Sequence, residues 1–303
     1  LMAAPMAYLL AILCTVTIVS ADKIAHVEAV TGSHTRIVWA RSITGIAEAD
    51  VETANYALMS YDSRTLATRS IISGPVSCAN PWITGDGNRV VFSDWPENEV
   101  YVISWEGLDK RKIADGFGLC VWADPLTGHE WVYVSDRAYG SRVDRIRIDD
   151  TTVSELVWDK TGVSIRFRVS RDGTRAGGEF PWNKAGVATL PNGAFRQYGS
   201  GCNSGIAPDN SYRFFHMVST HRELHVYDSS DTGHRIIGLT GAPGVNGRSV
   251  WIPKWSNDAR FFTMSAPGDE GDAMHDIYLG AFDSNCTAVE KWIRITDNPD
   301  SVD

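Results

Sequence analysis

Three histidines stand close together in the run RFFHMVSTHRELHVYD: His216, His221 and His225. Imidazole changes charge near neutral pH, so a pair such as His216 and His221 could share a metal ion or act as a general base. A satisfied structural histidine is the plainer reading of each. With Arg137 to neutralise a carboxylate and a tyrosine to protonate the leaving oxygen, the two would make a set for eliminating a uronic acid. Other catalytic arrangements are absent from the sequence. It has no GxSxG elbow, no phosphate-binding GxxxxGK[ST] loop, no GxGxxG after a strand and no HExxH. PGDEGD (267–272) lacks the spacing of a calcium loop and reads as a solvated loop. The cysteines Cys78, Cys120, Cys202 and Cys286 form no CxxC and no zinc spacing. No cofactor is expected.

Composition narrows the partners. The chain has 303 residues, a net charge of −9 and no Lys/Arg run, which argues against a nucleic-acid backbone as ligand. A hydrophobic share of 43% excludes intrinsic disorder. Residues 1–21 are uncharged and carry an apolar run too short for a comfortable membrane span. Val19 and Ala21 suit signal-peptidase cleavage before Asp22. Residues 1–21 are therefore expected to be an export signal. The alternative is a retained apolar segment whose β-branched TVTIVS adds as a strand to a neighbouring copy. No other segment could cross a membrane. Asn285-Cys286-Thr287 is a glycosylation sequon.

The remainder, 22–303, is one domain made of a recurring unit. A short apolar strand, an Asp/Asn/Gly turn and a second strand recur as PWITGDGNRVVFSD (81–94), VWADPLTGHEWVYVSD (121–136), RVSRDGTRAGGEF (168–180), GIAPDNSYRFFHM (205–217) and IPKWSNDARFFTM (252–264). HVEAVTGSHTRIVWA (26–40) is a degenerate first copy. The turns recur about every 45 residues, the length of a propeller blade. Two further strand-like runs follow each copy, and no amphipathic helical stripe interrupts them. Short alternating strands rich in Val, Ile, Tyr, Phe and Trp predict an all-β fold. The expected architecture is a six-bladed β-propeller with four antiparallel strands per blade. The ring would close by packing alone, or with 22–30 as an outer strand of the last blade.

WADP, SRDG, APDN and WSND, each followed by an apolar strand, resemble the repeat signature of TolB-like and PD40-type β-propellers. The resemblance spans roughly 24–297 and is specific for fold, not for function. That superfamily includes partner-binding modules, peptidase companions and polysaccharide lyases. Propeller geometry sorts the polar residues by face. The inner strand A starts at the rim where the B–C loops open. This mouth would gather Cys78, Asn80, Cys120, Trp122, Arg166, Cys202, Asn203 and Trp251 from A strands. The loops would add Arg41, Asp94, Trp95, Asp136, Arg137, Glu179, Trp182, His216, His221, Asp269 and Asp272. Trp95 and Trp182 adjoin prolines at loop tips, where rings could stack on a sugar or grip a peptide. Other tryptophans could simply wedge between blades. Arg41, Trp95, Arg137, Trp182, His216 and His221 are the candidate ligand-binding residues. Cys78 and Cys120, in adjoining blades, are the candidate disulfide. The expected role is an exported binding module for a protein or polysaccharide. A self-associating extracellular subunit and a polysaccharide lyase are the alternatives.

Overall fold

Strands alternate with Asp-, Asn- and Gly-rich turns along nearly the whole chain, because adjacent side chains face opposite inter-blade surfaces and both surfaces are apolar. A computed structural model describes residues 27–45, 52–229, 233–267, 275–297 and 303. Blade one has β1 (Arg36–Ser42), β2 (Tyr56–Asp62) and β3 (Ala67–Val76). Blade two has β4 (Ala79–Ile83), β5 (Arg89–Asp94), β6 (Glu99–Ser104) and β7 (Arg111–Asp115). Blade three has β8 (Phe117–Ala123), β9 (Glu130–Ser135), β10 (Val143–Arg147) and β11 (Ser154–Trp158). Blade four has β12 (Arg168–Val169), β13 (Arg175–Glu179), β14 (Lys184–Thr189) and β15 (Phe195–Ser200). Blade five has β16 (Cys202–Ile206), β17 (Phe214–Met217), β18 (Glu223–Tyr227) and β19 (Arg235–Gly238). Blade six has β20 (Trp251–Trp255), β21 (Phe261–Ala266), β22 (Asp276–Phe282) and β23 (Val289–Arg294). Each blade is an antiparallel meander, and together they form a six-bladed β-propeller. Among the described residues no helix is long and apolar enough to cross a membrane.

Blade one departs from the expected pattern. The strand predicted before the turn near residue 33 does not form, and residues 27–31 make a helical turn instead. Gly32 ends it with φ +72°, its N–H donating to Glu28 O, while Thr31 Oγ1 donates to Val27 O. This is the usual geometry of a glycine-capped helix end. Arg36–Ser42 is therefore the second strand of its blade. It packs beside β4 as β13 packs beside β16. Residues 27–30 cannot serve as an outer strand of the last blade for the same reason, and 22–26 lie outside the described residues.

Among the described residues, six apolar clusters fill the six seams. Leu58 and Phe92 lie between blades one and two, Val102 and Val132 between two and three, and Phe167 and Trp158 between three and four. Ile206 and Phe214 lie between four and five, and Phe215 and Phe262 between five and six. The ring closes where Trp39, Met59 and Ile37 of blade one meet Ile277 and Leu279 of blade six. Each fully buried side chain of this kind contributes about 2–3 kcal/mol. Asp303 reinforces the same seam. Its carboxylate accepts from Trp39 Nε1 at 3.0 Å and from both Arg41 Nε and Nη2. Its backbone meets blade six, where its N–H donates to His275 O and its carbonyl accepts from Ser265 Oγ. Of the two closures the sequence leaves open, the described residues show packing of blade one on blade six, with this polar tie added.

The repeated aspartates shape the A–B turns. Asp86, Asp124, Asp172, Asp209 and Asp258 each accept, through a side-chain oxygen, the backbone N–H two residues on, at 2.9–3.0 Å. Five Asx turns thus close five hairpins on the face opposite the B–C loops. Blade four adds a second requirement. Gly173 has φ +73°, and a Cβ there would meet Trp122 Cζ2 at 2.7 Å. Trp122 lies at the end of β8, not at its start, and donates through Nε1 to Arg171 O at 2.8 Å. It locks blade three to the turn of blade four, so its expected place at the mouth is corrected.

Candidate functional site

Inner strands of a propeller point alternate side chains at the axis, so cations there are forced together. Asn80 in β4 sits at a bulge with φ +49°, since Ala79 pairs with Ser93 and Trp82 with Val91. Bulges re-aim a side chain, and asparagine tolerates positive φ. Asn80 Nδ2 donates to Gly118 O and Leu119 O of blade three at 2.8 and 2.9 Å. Its Oδ1 accepts from Lys254 Nζ of blade six at 3.0 Å and from Arg168 Nη2 of blade four at 3.3 Å. Arg168 Nη1 also donates to Leu119 O at 2.6 Å and Phe167 O at 2.8 Å. Trp82 faces both cations, 4.3 Å from the Arg168 guanidinium and 4.9 Å from Lys254 Nζ. Arg166 Nε donates to Asn203 Oδ1 at 3.1 Å nearby.

Burial and mutual repulsion act on these cations. Arg168 is 7% exposed, and burial is the main cause that lowers its pKa to about 9. Cys120 and Glu179 oppose that shift, and Arg166 adds to it. Lys254 is ringed by protein yet keeps partial exposure to solvent. Burial, then Arg168 and Arg166, push its pKa well down. Glu179 is fully buried; Ser204 N–H and Oγ donate to its Oε1 at 3.1 and 2.5 Å.

Loops of three consecutive blades build a second feature on the mouth face. Trp95 (β5–β6), Tyr139 (β9–β10) and Trp182 (β13–β14) form a row of aromatic rings. Trp95 and Tyr139 are 6.4 Å apart, and Tyr139 and Trp182 are 6.0 Å apart and edge-to-face. Phe117 anchors the inner end, 5.0 Å from Trp95. Exposure rises outward to 39% at Tyr139 and 54% at Trp182. Arg137 is exposed on the same loop as Tyr139.

The histidines part company. His216 is 2% exposed and lies in a stack with Tyr227 and His225 on blade five. Its Nδ1 lies 3.3 Å from Met217 O, and burial lowers its pKa to about 4. His221 instead meets Cys202 Sγ at 3.0 Å and stands edge-on to Trp251 at 4.3 Å. Burial lowers its pKa as well. Among the described residues no three His, Cys, Asp or Glu side chains assemble as a metal-ligand set.

Arg41 is bound to Asp303 at the closing seam. Asp269 and Asp272 lie outside the described residues. The expected Cys78–Cys120 bridge is not formed, and both are free, buried thiols. They belong to different clusters, Cys78 between blades one and two and Cys120 between blades three and four. Burial pushes the Cys120 thiol up to about 12 and raises that of Cys78 too.

Sequence reading named Trp95, Trp182 and Asn80 but not Tyr139, Trp82, Arg168 or Lys254. The usable signal for the cations was the alternation IRFRV, which puts Arg166 and Arg168 on one side of an extended segment.

No family model matches the chain, and no curated protein matches it. Solved structures do resemble it. TolB from Acinetobacter baumannii superposes with a TM-score of 0.58 at 13% identity, over 92% of this chain and 69% of that one. A putative TolB from Agrobacterium tumefaciens gives 0.54 at 13% identity, over 89% and 92%. Likeness at this identity establishes the TolB-like propeller fold.

Proposed function

We propose that this TolB-like propeller is an exported binding module that receives a protein or glycan on its B–C loop face. The observation that carries the reading is the row Trp95–Tyr139–Trp182. Its rings come from three consecutive blades, contact one another and grow more exposed outward. Large rings held by a rigid scaffold supply contact area at little entropic cost, and they suit the C–H faces of sugars or apolar side chains. Arg137, on the Tyr139 loop, adds a charge that could pair with an acidic ligand group. Export rests on the apolar, uncharged residues 1–21 and the cleavage pattern at Val19 and Ala21. N-terminal mass spectrometry of material from a secreting host should find Asp22 first.

Arrays of soluble glycans and of short peptides test the binding reading. Retention is expected on a member of one array. Trp182→Ala and Tyr139→Ala should each weaken it by roughly tenfold with an unchanged circular dichroism spectrum. Silence on both arrays, or full retention by Trp182→Ala, overturns the proposal.

A further inference from the structure

Three cations crowd the axis of a chain whose net charge is −9. Charged groups so enclosed are ordinarily paired with an opposite charge. Here Lys254 and Arg168 share a neutral amide oxygen, that of Asn80. Asn80 is saturated by them and by its two carbonyl partners, so it orients the cations without neutralising them. Glu179 acts on Arg168 through the field alone: its Oε1 is occupied by Ser204, and its buried Oε2 accepts no hydrogen bond from either cation among the described residues. Trp82 lies against both cations, and its buried Nε1–H has no acceptor among the described residues. Lys254 is placed by strained backbone, because the β-branched Ile252 two residues earlier adopts φ +51°. Two enclosed cations beside an orphaned N–H on a ring that touches both make an incomplete site. The group that completes it has several acceptor oxygens and negative charge.

We propose that the inner channel, where Asn80, Trp82, Arg168 and Lys254 converge, binds an oxyanion group, the carboxylate or phosphate of a small ligand. Lys254 supplies the approachable charge, since it keeps solvent access. Arg168 is tied down by carbonyls and supplies field rather than reach. Asn80 is a positioning residue. This site stands on different residues from the aromatic row, and neither reading depends on the other.

The test is thermal melting and calorimetry of the full chain with inorganic phosphate, acetate or succinate at millimolar concentration. Ionic strength is matched throughout with sodium chloride. Phosphate or a carboxylate should raise the melting temperature by about 2–4 °C once in roughly tenfold excess over its dissociation constant. The arm that responds identifies the source. Lys254→Met keeps the apolar stem and removes the charge, and it should weaken the response by at least roughly tenfold. Should that variant not fold, Lys254→Gln retains a donor for Asn80 and serves in its place. Trp82→Phe, which keeps the ring and removes the N–H, should weaken the response less. A response no larger than that of chloride, or one undiminished in the Lys254 variant, overturns the proposal.

Discussion

His216 shows what enclosure does to one imidazole. Its ring is stacked with Tyr227 and His225 and pressed on by Gly199 and Gly201, where an added Cβ would meet the ring within 2.5 Å. Burial lowers its pKa to about 4, below an ordinary 6.5. The unfolded chain therefore binds the proton more readily than the folded one between those values. The stability is fully present above about pH 6.5 and is lost as pH falls towards 4, by about 3 kcal/mol in all. Urea titrations of His216→Gln should show a shallower loss between pH 7 and pH 4.5 than the parent. An identical slope would show that another group carries the acid sensitivity. At this scale some of the site was legible. Trp95 and Trp182 stood beside prolines between strand-like runs, so their loop positions could be read locally. Arg168 and Lys254 could not be paired with Asn80, because 88 and 174 residues separate them along the chain.

At the scale of elements, the hairpin is the unit that repeats, and its turn chemistry was plain in the sequence. Aspartate followed by a small or polar residue marks a backbone reversal that the side chain itself completes. At Asp172 burial alone would raise the pKa. Hydrogen bonds from Tyr212, Ser170 and Thr174 outweigh it and hold the carboxyl at about 2. That contribution is present above the ordinary carboxylate range and fades as pH drops towards 2. The neighbouring glycine offers a cleaner test. Gly173→Ala forces a side chain into positive φ and against the Trp122 ring, and should cost about 1–3 kcal/mol in denaturant unfolding. Gly128→Ala, at φ +73° with open space around its Cβ, should cost distinctly less. Equal losses at the two positions would show that the ring contact contributes nothing. The first blade misled for a comparable local reason. HVEAV alternates like a strand, but the Thr-Gly-Ser that follows it caps a helical turn as readily as it turns a hairpin.

On the scale of the whole molecule, six seams share the work of holding the ring, and their number followed from the count of repeat copies. The polar tie at the closing seam did not, since Trp39 and Arg41 meet a residue more than 260 positions away. Asp303→Ala would leave the Trp39 N–H and the Arg41 guanidinium without that acceptor. A loss of about 2 kcal/mol is expected by equilibrium denaturation. Hydrogen exchange should then quicken first in β1 and β21, which the tie spans, and later in β9 and β13. Uniform quickening round the ring would argue that the seam is no weaker than the other five.

The convergence of blades two, four and six on one amide has a further result. Their side chains meet across the lumen, so the disc resembles a stoppered washer more than a pipe. A substitution at Asn80 would release the side chains of both other blades together, because they share its one carbonyl oxygen.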